Sequence, residues 1–220
     1  MLNGFVIKDR VSPSIEGIKA LTGLPTSIVC DVTGRMVGAE GLHPVNKSSV
    51  SACGNAVTVK VRSGDNLMIH LALRMLQPGD VLVVDAEGDL SRALFGEIMM
   101  SVAKSKGAVA AVINGAIRDV DAFEEAKFPC WAKGINLRGP YKEGPGSLNV
   151  PVTIGGMLIH PGDIVLGDSD GVVAFSPKEA LEIAKLGKEK VAQEQATLKS
   201  IQQGTYNDSW IDAVLKQKGC

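Results

Sequence analysis

Aromatic side chains are scarce in this 220-residue sequence, at 4% of positions, which leaves few platforms for stacking bases. An excess of one charge is missing too: 23 Lys and Arg stand against 24 Asp and Glu, scattered rather than bunched. Nucleic-acid binding draws on a basic stripe facing the phosphates, so nucleic acid is excluded as the main partner. There are three histidines and four cysteines, Cys30, Cys53, Cys130 and Cys220, with no CxxC pair. That supplies neither a zinc cluster nor a disulfide framework, and it points to a reducing cytoplasm in which the first three thiols are small apolar core groups. No apolar run approaches the ~18 residues of a membrane span, and no basic-then-apolar leader opens the chain, so membrane and secretion are both disfavoured.

What is present is apolar mass, 45% of residues, on a chain long enough to bury about 70% of its unfolded surface. The most informative stretch runs from Gly96 to Asp119. After Gly96, the residues Ile98, Met99, Val102 and Ala103 fall at helical spacing, Lys104 and Lys106 occupy the last turn, and Gly107 stops it, which predicts a helix from about Glu97 to Lys106. Ala108 to Ile113 is a continuous small apolar run bounded by Gly107 and Asn114-Gly115, the pattern of a strand buried on both faces. Its carboxyl end delivers Arg118 and Asp119. In open α/β sheets that end is where ligands bind, and the start of a helix offers free N–H groups to an anion.

Elsewhere, Ser12-Pro13 opens a helix that Gly23 closes, with Ser12 as cap, and a second short helix begins at Pro25 with Thr26 or Ser27 capping. Met36 to Val61 reads as strand, clearest where Val57, Val59 and Val61 alternate. Gly64-Asp65-Asn66 turns into a helix, with Asp65 a natural cap. Pro78-Gly79-Asp80 and Pro161-Gly162-Asp163 each precede a buried strand, an echo of turn chemistry or of a duplicated unit, and His160 is a turn residue. Asp121 to Tyr141, followed by the glycine-rich Gly139 to Gly146, reads as loop at a site mouth or a subunit contact. Gly155-Gly156 suits a hairpin turn between Val150–Ile154 and Met157–Ile159, and Val172 to Phe175 ends the sheet. Ser176-Pro177 opens a helix running to Gln203, about 27 residues and about 40 Å, with Gly187 a possible kink. That exceeds what a domain of this size needs, so residues 1–175 are expected to form an α/β domain and 176–220 a helical extension packing on a neighbouring subunit.

An acidic residue after glycine, twenty residues, then Arg-Asp resembles the signature of class II pyruvate aldolases acting on 4-hydroxy-4-methyl-2-oxoglutarate and 4-carboxy-4-hydroxy-2-oxoadipate. The resemblance extends over roughly Pro25 to Gly204, through Gly64-Asp65-Asn66, Pro78-Gly79-Asp80, Asn114 to Asp119 and Gly167 to Gly171, and it takes in the regulators of ribonuclease E activity that share the RraA-like fold. It implies a swivelling β/β/α fold, a central sheet flanked by helices with a long C-terminal helix. It further implies homotrimers, or hexamers of paired trimers, in which Glu194 reaches a neighbour's site. Asp119 would hold Mg²⁺, or Mn²⁺, through one protein bond, leaving most of the coordination to water and substrate oxygens. Arg118 would face the ketone oxygen of a small 2-oxo acid, the backbone of Gly96, Ile98, Met99 and Met100 would take its carboxylate, and Asn66 would lie beside it. Glu97 would order a proton-carrying water; the family commonly has Asp there, one methylene shorter.

The expected activity is cleavage of a hydroxy-oxo diacid to pyruvate, with oxaloacetate decarboxylation as a side activity. No lysine adjoins the constellation, so Schiff-base chemistry is disfavoured. The alternatives are a non-catalytic regulator that docks on a ribonuclease, a class the resemblance describes as shorter and without the extended C-terminal helix, and a related lyase or hydro-lyase acting on another oxo acid.

Overall fold

The computed structural model describes residues 4–219. In chain order the elements are β1 (Phe5–Ile7), α1 (Ile15–Leu21), α2 (Thr26–Val32), β2 (His43–Pro44), β3 (Ala52–Val61), α3 (Leu67–Met75), β4 (Asp80–Asp85), β5 (Ala93–Phe95), α4 (Glu97–Ser105), β6 (Ala110–Ile117), α5 (Val120–Glu125), β7 (Cys130–Ile135), β8 (Gly146–Leu148), β9 (Val152–Ile154), β10 (Met157–Ile159), β11 (Ile164–Gly167), β12 (Val172–Phe175), α6 (Ala180–Gln202) and α7 (Trp210–Gln217). The fold is mixed α/β, with a ten-stranded sheet whose spine runs β1-β8-β3-β4-β6-β7-β2. Within it β3, β4, β6 and β7 are parallel neighbours.

Parallel strands are stable only with both faces covered. All residues of β4 and β6 are buried. One face, carrying Val57, Val59, Leu82, Val84, Ala111 and Ile113, packs on Met68 and Ile69 of α3 and Met100 and Ala103 of α4. The other, carrying Ala56, Val81, Val83, Ala110, Val112 and Trp131, packs on Ile154 and Ile159 of the β9–β10 hairpin and Val165 of β11. Among the described residues no helix is long and apolar enough to cross a membrane.

Several element starts differ from the sequence reading, each for a stated contact. The cap of α1 is Ser14, two residues later than expected, whose hydroxyl accepts from Gly17 N at 3.3 Å. Neither Thr26 nor Ser27 caps α2. Proline at the N-cap has no side-chain acceptor to offer, and the carboxylate of Asp168 supplies it from far along the chain, taking Thr26 N at 2.8 Å and Thr26 Oγ1 at 2.6 Å. Asp168→Ala would strand two buried donors on Thr26 and is expected to cost about 2–3 kcal/mol. The shift in the urea midpoint, followed by circular dichroism, measures it.

Asn114-Gly115 does not end β6. The strand runs on to Ile117, with its register against β7 shifting between Ile113 and Ala116. Residues 121–135, read as loop, hold the end of α5 and all of β7. Gly155-Gly156 closes the expected hairpin, with Ile154 opposite Met157. Both Pro-Gly-Asp turns close alike, Asp80 accepting from Gln77 N at 2.8 Å and Asp163 from His160 N at 2.7 Å. Yet β4 lies parallel and β11 antiparallel to the same strand β3, so the echo is one of turn chemistry.

The last long helix starts at Ala180, four residues after the Ser176 signal, and continues unbroken through Gly187. Ala180, Ile183, Ala184 and Gly187 are buried, the alanines and Ile183 in one cluster with Leu21 of α1 and Val29 of α2. Beyond Lys190 the helix is almost wholly exposed, and α7, unforeseen in the sequence, has no buried residue. Cys130 is buried and Cys30 and Cys53 half-buried, all free. Burial pushes the Cys53 thiol up to about 11 and raises that of Cys130 further, as inert core groups require. Cys220 lies outside the described residues.

Candidate active site

The site is built where β5 and β6 end side by side. Arg118 N donates to Phe95 O at 3.0 Å, so the two chains stay in register past the last strand residue. β5 passes through Gly96 directly into α4, and β6 passes through Arg118 and Asp119 into α5. Asp119 adopts φ +59°, a left-handed conformation that Asp tolerates better than most residues. This turns its carboxylate back onto the start of α4, where Oδ2 accepts from Glu97 N at 3.1 Å. Arg118 Nε lies 3.6 Å from the same oxygen. Gly96 is required by closeness: a Cβ there would sit 2.6 Å from Asp119 Oδ2 and 3.0 Å from Arg118 Cγ.

Between these groups is a small cavity of about 40 Å³ lined by Asn66, Leu94, Gly96, Met99, Arg118 and Asp119, among others. Asn66 is 3% exposed, and its Nδ2 donates to Leu94 O at 3.0 Å and contacts Met99 Sδ at 3.2 Å. Its Oδ1 has no partner among the described residues. A buried acceptor left open costs free energy that a donor from a ligand or an ordered water recovers. Asp119 Oδ1 likewise accepts no hydrogen bond among the described residues, while the side chain is 41% exposed.

The start of α4 offers fewer donors than the sequence suggested. Met100 N is taken by Gly96 O at 2.9 Å and Glu97 N by Asp119. Among the described residues the N–H groups of Ile98 and Met99 have no acceptor, as is usual in the first turn of a helix. Met99 lines the cavity, Met100 is packed beneath it in the core, and Ile98 stands 77% exposed at the rim. Glu97 is exposed on the first turn of α4. Glu194 is not brought to this cavity within one chain; it pairs with Lys190 at 3.4 Å, and Lys190 pairs in turn with Asp31 at 3.6 Å.

The Gly139 to Gly146 loop does reach the mouth, where Pro140 lines the cavity. Two residues hold it there: Arg92, which the sequence reading passed over, and Asp65, which it took only as the cap of a helix. Arg92 stacks on the Tyr141 ring at 4.1 Å and donates to Gly139 O at 2.8 Å. Asp65 accepts from Glu143 N at 2.7 Å, Gly144 N at 3.0 Å and Leu67 N at 2.9 Å. Burial alone would raise the Asp65 carboxyl, but those backbone donors and Arg62 hold it below the usual carboxylate range. Arg92 gave no sequence signal, since a lone cation before a strand reads as solvated.

As a metal centre the donor set is sparse. Among the described residues no group of three or more His, Cys, Asp or Glu is gathered for an ion. One free carboxylate oxygen suits Mg²⁺, which keeps most of its waters, and does not suit zinc. At about 40 Å³ the cavity has room for little more than one carboxylate or one water, whose share of liquid is about 30 Å³, so a longer ligand must extend over the rim. Ile98 stands exposed at that rim, and Ile135 at the end of β7 and Leu137 just beyond it are exposed apolar side chains too. Asn136 N binds Ile117 O at 2.9 Å and so ties the segment leaving β7 to the end of β6.

Known proteins are similar to this chain in sequence and in fold. A family model described as RraA-like, Aldolase/RraA, matches residues 26–174. A Halalkalibacterium halodurans protein named "Putative 4-hydroxy-4-methyl-2-oxoglutarate aldolase" is 35% identical over 188 residues, 85% of this chain and 89% of its own length. The solved structure of RraA from Thermus thermophilus, described as an RNA-processing inhibitor, superposes with a TM-score of 0.63 at 26% identity, over 69% of this chain and 92% of that one. A Streptomyces coelicolor protein, described as an unusual member of the RNase ES inhibitor RraA family, superposes with a TM-score of 0.73 at 26% identity, over 84% of this chain and 96% of that one. This match spans more of the chain than that to the Thermus protein.

Proposed function

The chain belongs to the RraA-like (Aldolase/RraA) family, and from that premise we propose that it is a divalent-metal-dependent aldolase that cleaves a 4-hydroxy-2-oxo diacid to pyruvate and a second oxo acid. The observation that carries this reading is the open Asp119 Oδ1 beside Arg118, over a cavity in which Asn66 Oδ1 is also unsatisfied. A Mg²⁺ or Mn²⁺ ion held through Asp119 would supply Lewis-acid stabilisation of negative charge developing on the ketone oxygen.

The chain's own groups account for the rest. Ile98 N–H and Met99 N–H bind the substrate carboxylate, an anion at a helix start. Arg118 donates to the ketone oxygen, where charge accumulates as the C3–C4 bond breaks. Asn66, its amide orientation fixed by Leu94 O, accepts from a donor on the substrate or from a water. Glu97 takes the 4-hydroxyl proton through an intervening water as the second oxo acid departs, and a proton returned to C3 completes pyruvate. Oxaloacetate loses CO₂ through the same enolate, so decarboxylation follows as a side activity.

The exposed apolar side chains of Ile98, Ile135 and Leu137 and the bare distal half of α6 support assembly into closed trimers, or hexamers of paired trimers, with Glu194 of one copy approaching the site of another.

Pyruvate release from 4-hydroxy-4-methyl-2-oxoglutarate, 4-carboxy-4-hydroxy-2-oxoadipate and oxaloacetate, followed in a coupled assay, tests this reading. Activity is expected to vanish in chelator and to return with Mg²⁺ or Mn²⁺. Full turnover in chelator would overturn the metal role. The likeness to the Thermus inhibitor supports a second reading, docking on a ribonuclease. Inhibition of a purified ribonuclease with no turnover of any 2-oxo acid would put that reading first.

A further inference from the structure

A second polar site lies on the opposite face of the sheet. Strand alternation puts Ala56, Thr58 and Lys60 of β3, Val81, Val83 and Asp85 of β4, Ala110, Val112 and Asn114 of β6, and Trp131 and Lys133 of β7 on the face that packs under the β9–β10 hairpin. The amino-terminal part of this face is apolar. Its carboxyl end is not: Lys60 pairs with Asp85 and Asp85 with Asn114 in the strand register, and Lys133 follows on β7 across the bulge. A cation, a carboxylate, an amide and a second cation thus cross four parallel strands in one row. They line an open cavity of about 400 Å³ with Glu87, Thr153 and the Gly155-Gly156 turn, and they share no residue with the Asp119 cavity.

The row is only partly satisfied from within. Asn114 Nδ2 donates to Asp85 Oδ1 at 3.1 Å and to Thr153 O at 3.4 Å, which fixes the amide. Its Oδ1, on a residue only 7% exposed, has no partner among the described residues. Asp85 Oδ1 also takes Glu87 N at 2.9 Å, while Oδ2 accepts nothing among the described residues. Lys60 is neutralised by Glu87 at 3.2 Å. Lys133 has no carboxylate partner among the described residues, and its ammonium lies over Gly88, where a Cβ would come within 2.5 Å of Nζ. Gly88 itself has φ +74°, so the turn both requires glycine and leaves room for the lysine.

The open valences are two acceptors, Asn114 Oδ1 and Asp85 Oδ2, and one unpaired cation. A ligand that fills them carries hydroxyl donors and one negative charge. Lys60 and Glu87 neutralise each other and Asp85 is held by the Asn114 amide and Glu87 N–H, so Lys133 is the one cation left to face a ligand, enough for a single negative charge and not for a dianion such as a phosphate monoester. We propose that this cavity binds a small polyhydroxylated monocarboxylate, of the sugar-acid type, with hydroxyls on Asn114 and Asp85 and its carboxylate on Lys133.

Titration of the full-length, ¹⁵N-labelled protein with gluconate, read by amide shifts, tests this. Shifts are expected at Asp85 to Gly88, Asn114 and Thr153 to Gly156, and not at Gly96 to Met100. The neutral polyol glucitol is expected to bind at least about tenfold more weakly, since it forfeits a charge-assisted bond, and Lys133→Met should weaken gluconate by a similar factor while Lys133→Arg restores most of it. Lys133 is exposed, so neither variant threatens the fold. Absence of saturable shifts, shifts confined to Gly96 to Met100, equal binding of glucitol, or indifference to Lys133→Met would each overturn the proposal. So would a crystal structure in which a neighbouring copy's side chain fills the cavity.

Discussion

Arg118→Ala is expected to lower the rate of pyruvate release by about 10²- to 10³-fold, chiefly in kcat, while leaving the melting temperature almost unchanged. The two halves of that expectation rest on different observations. Stability is spared because the Arg118 side chain is 44% exposed and its ion pair to Asp119, at 3.6 Å, is of the exposed kind worth about 0–1 kcal/mol. The backbone bond from Arg118 N to Phe95 O, which holds the ends of β5 and β6 together, survives the substitution. Turnover suffers because the guanidinium, fixed and permanently charged, is the one cationic side chain lining the cavity. A donor aimed at charge present only in the transition state affects kcat more than KM. Arg118→Lys should recover little, since a point charge on a flexible stem lacks the planar fork. Near-normal kcat in the alanine variant would remove Arg118 from the chemistry.

The residues that could be read from sequence were those whose role is local. Gly96, the apolar spacing of α4 and the small apolar run of β6 follow from neighbours a few positions away, so the strand that delivers Arg118 and Asp119 and the helix that starts beside them were legible. What the sequence concealed was contact across long separations. The cap of α2 comes from Asp168, and the mouth loop is pinned by Arg92 and Asp65. β6 was cut short at Asn114-Gly115 because that dipeptide usually marks a turn. Here Asn114 is held in the sheet by Asp85 on the adjacent strand, a partner that only the tertiary fold supplies. The free donors of α4 depended on geometry in the same way: only the αL turn at Asp119 sends its carboxylate onto Glu97 N and removes that N–H from the anion cradle.

Asp119→Asn separates the carboxylate's charge from its structural part, and it is expected to reduce turnover by about 10³-fold or more with little loss of stability. Alanine would confound the two, since φ +59° is poorly tolerated by Ala and the acceptor for Glu97 N would vanish. Asparagine keeps both: it is among the residues that enter the left-handed region most readily, and its Oδ1 can take the Glu97 N–H. What it lacks is the negative charge, the property a hydrated Mg²⁺ requires from a single protein ligand. A second readout follows by linkage. At Mg²⁺ a hundredfold above its dissociation constant, the wild-type protein should gain about 2.7 kcal/mol of stability, seen as a rise in melting temperature, and the variant should gain almost nothing at the same concentration. The rise is read in the absence of substrate, so it reports the ion's grip on Asp119 independently of which oxo acid is cleaved. If the asparagine protein kept both the Mg²⁺-dependent rise and its turnover, the ion would have to be held elsewhere, and the chemistry assigned to the end of β6 would fall with it.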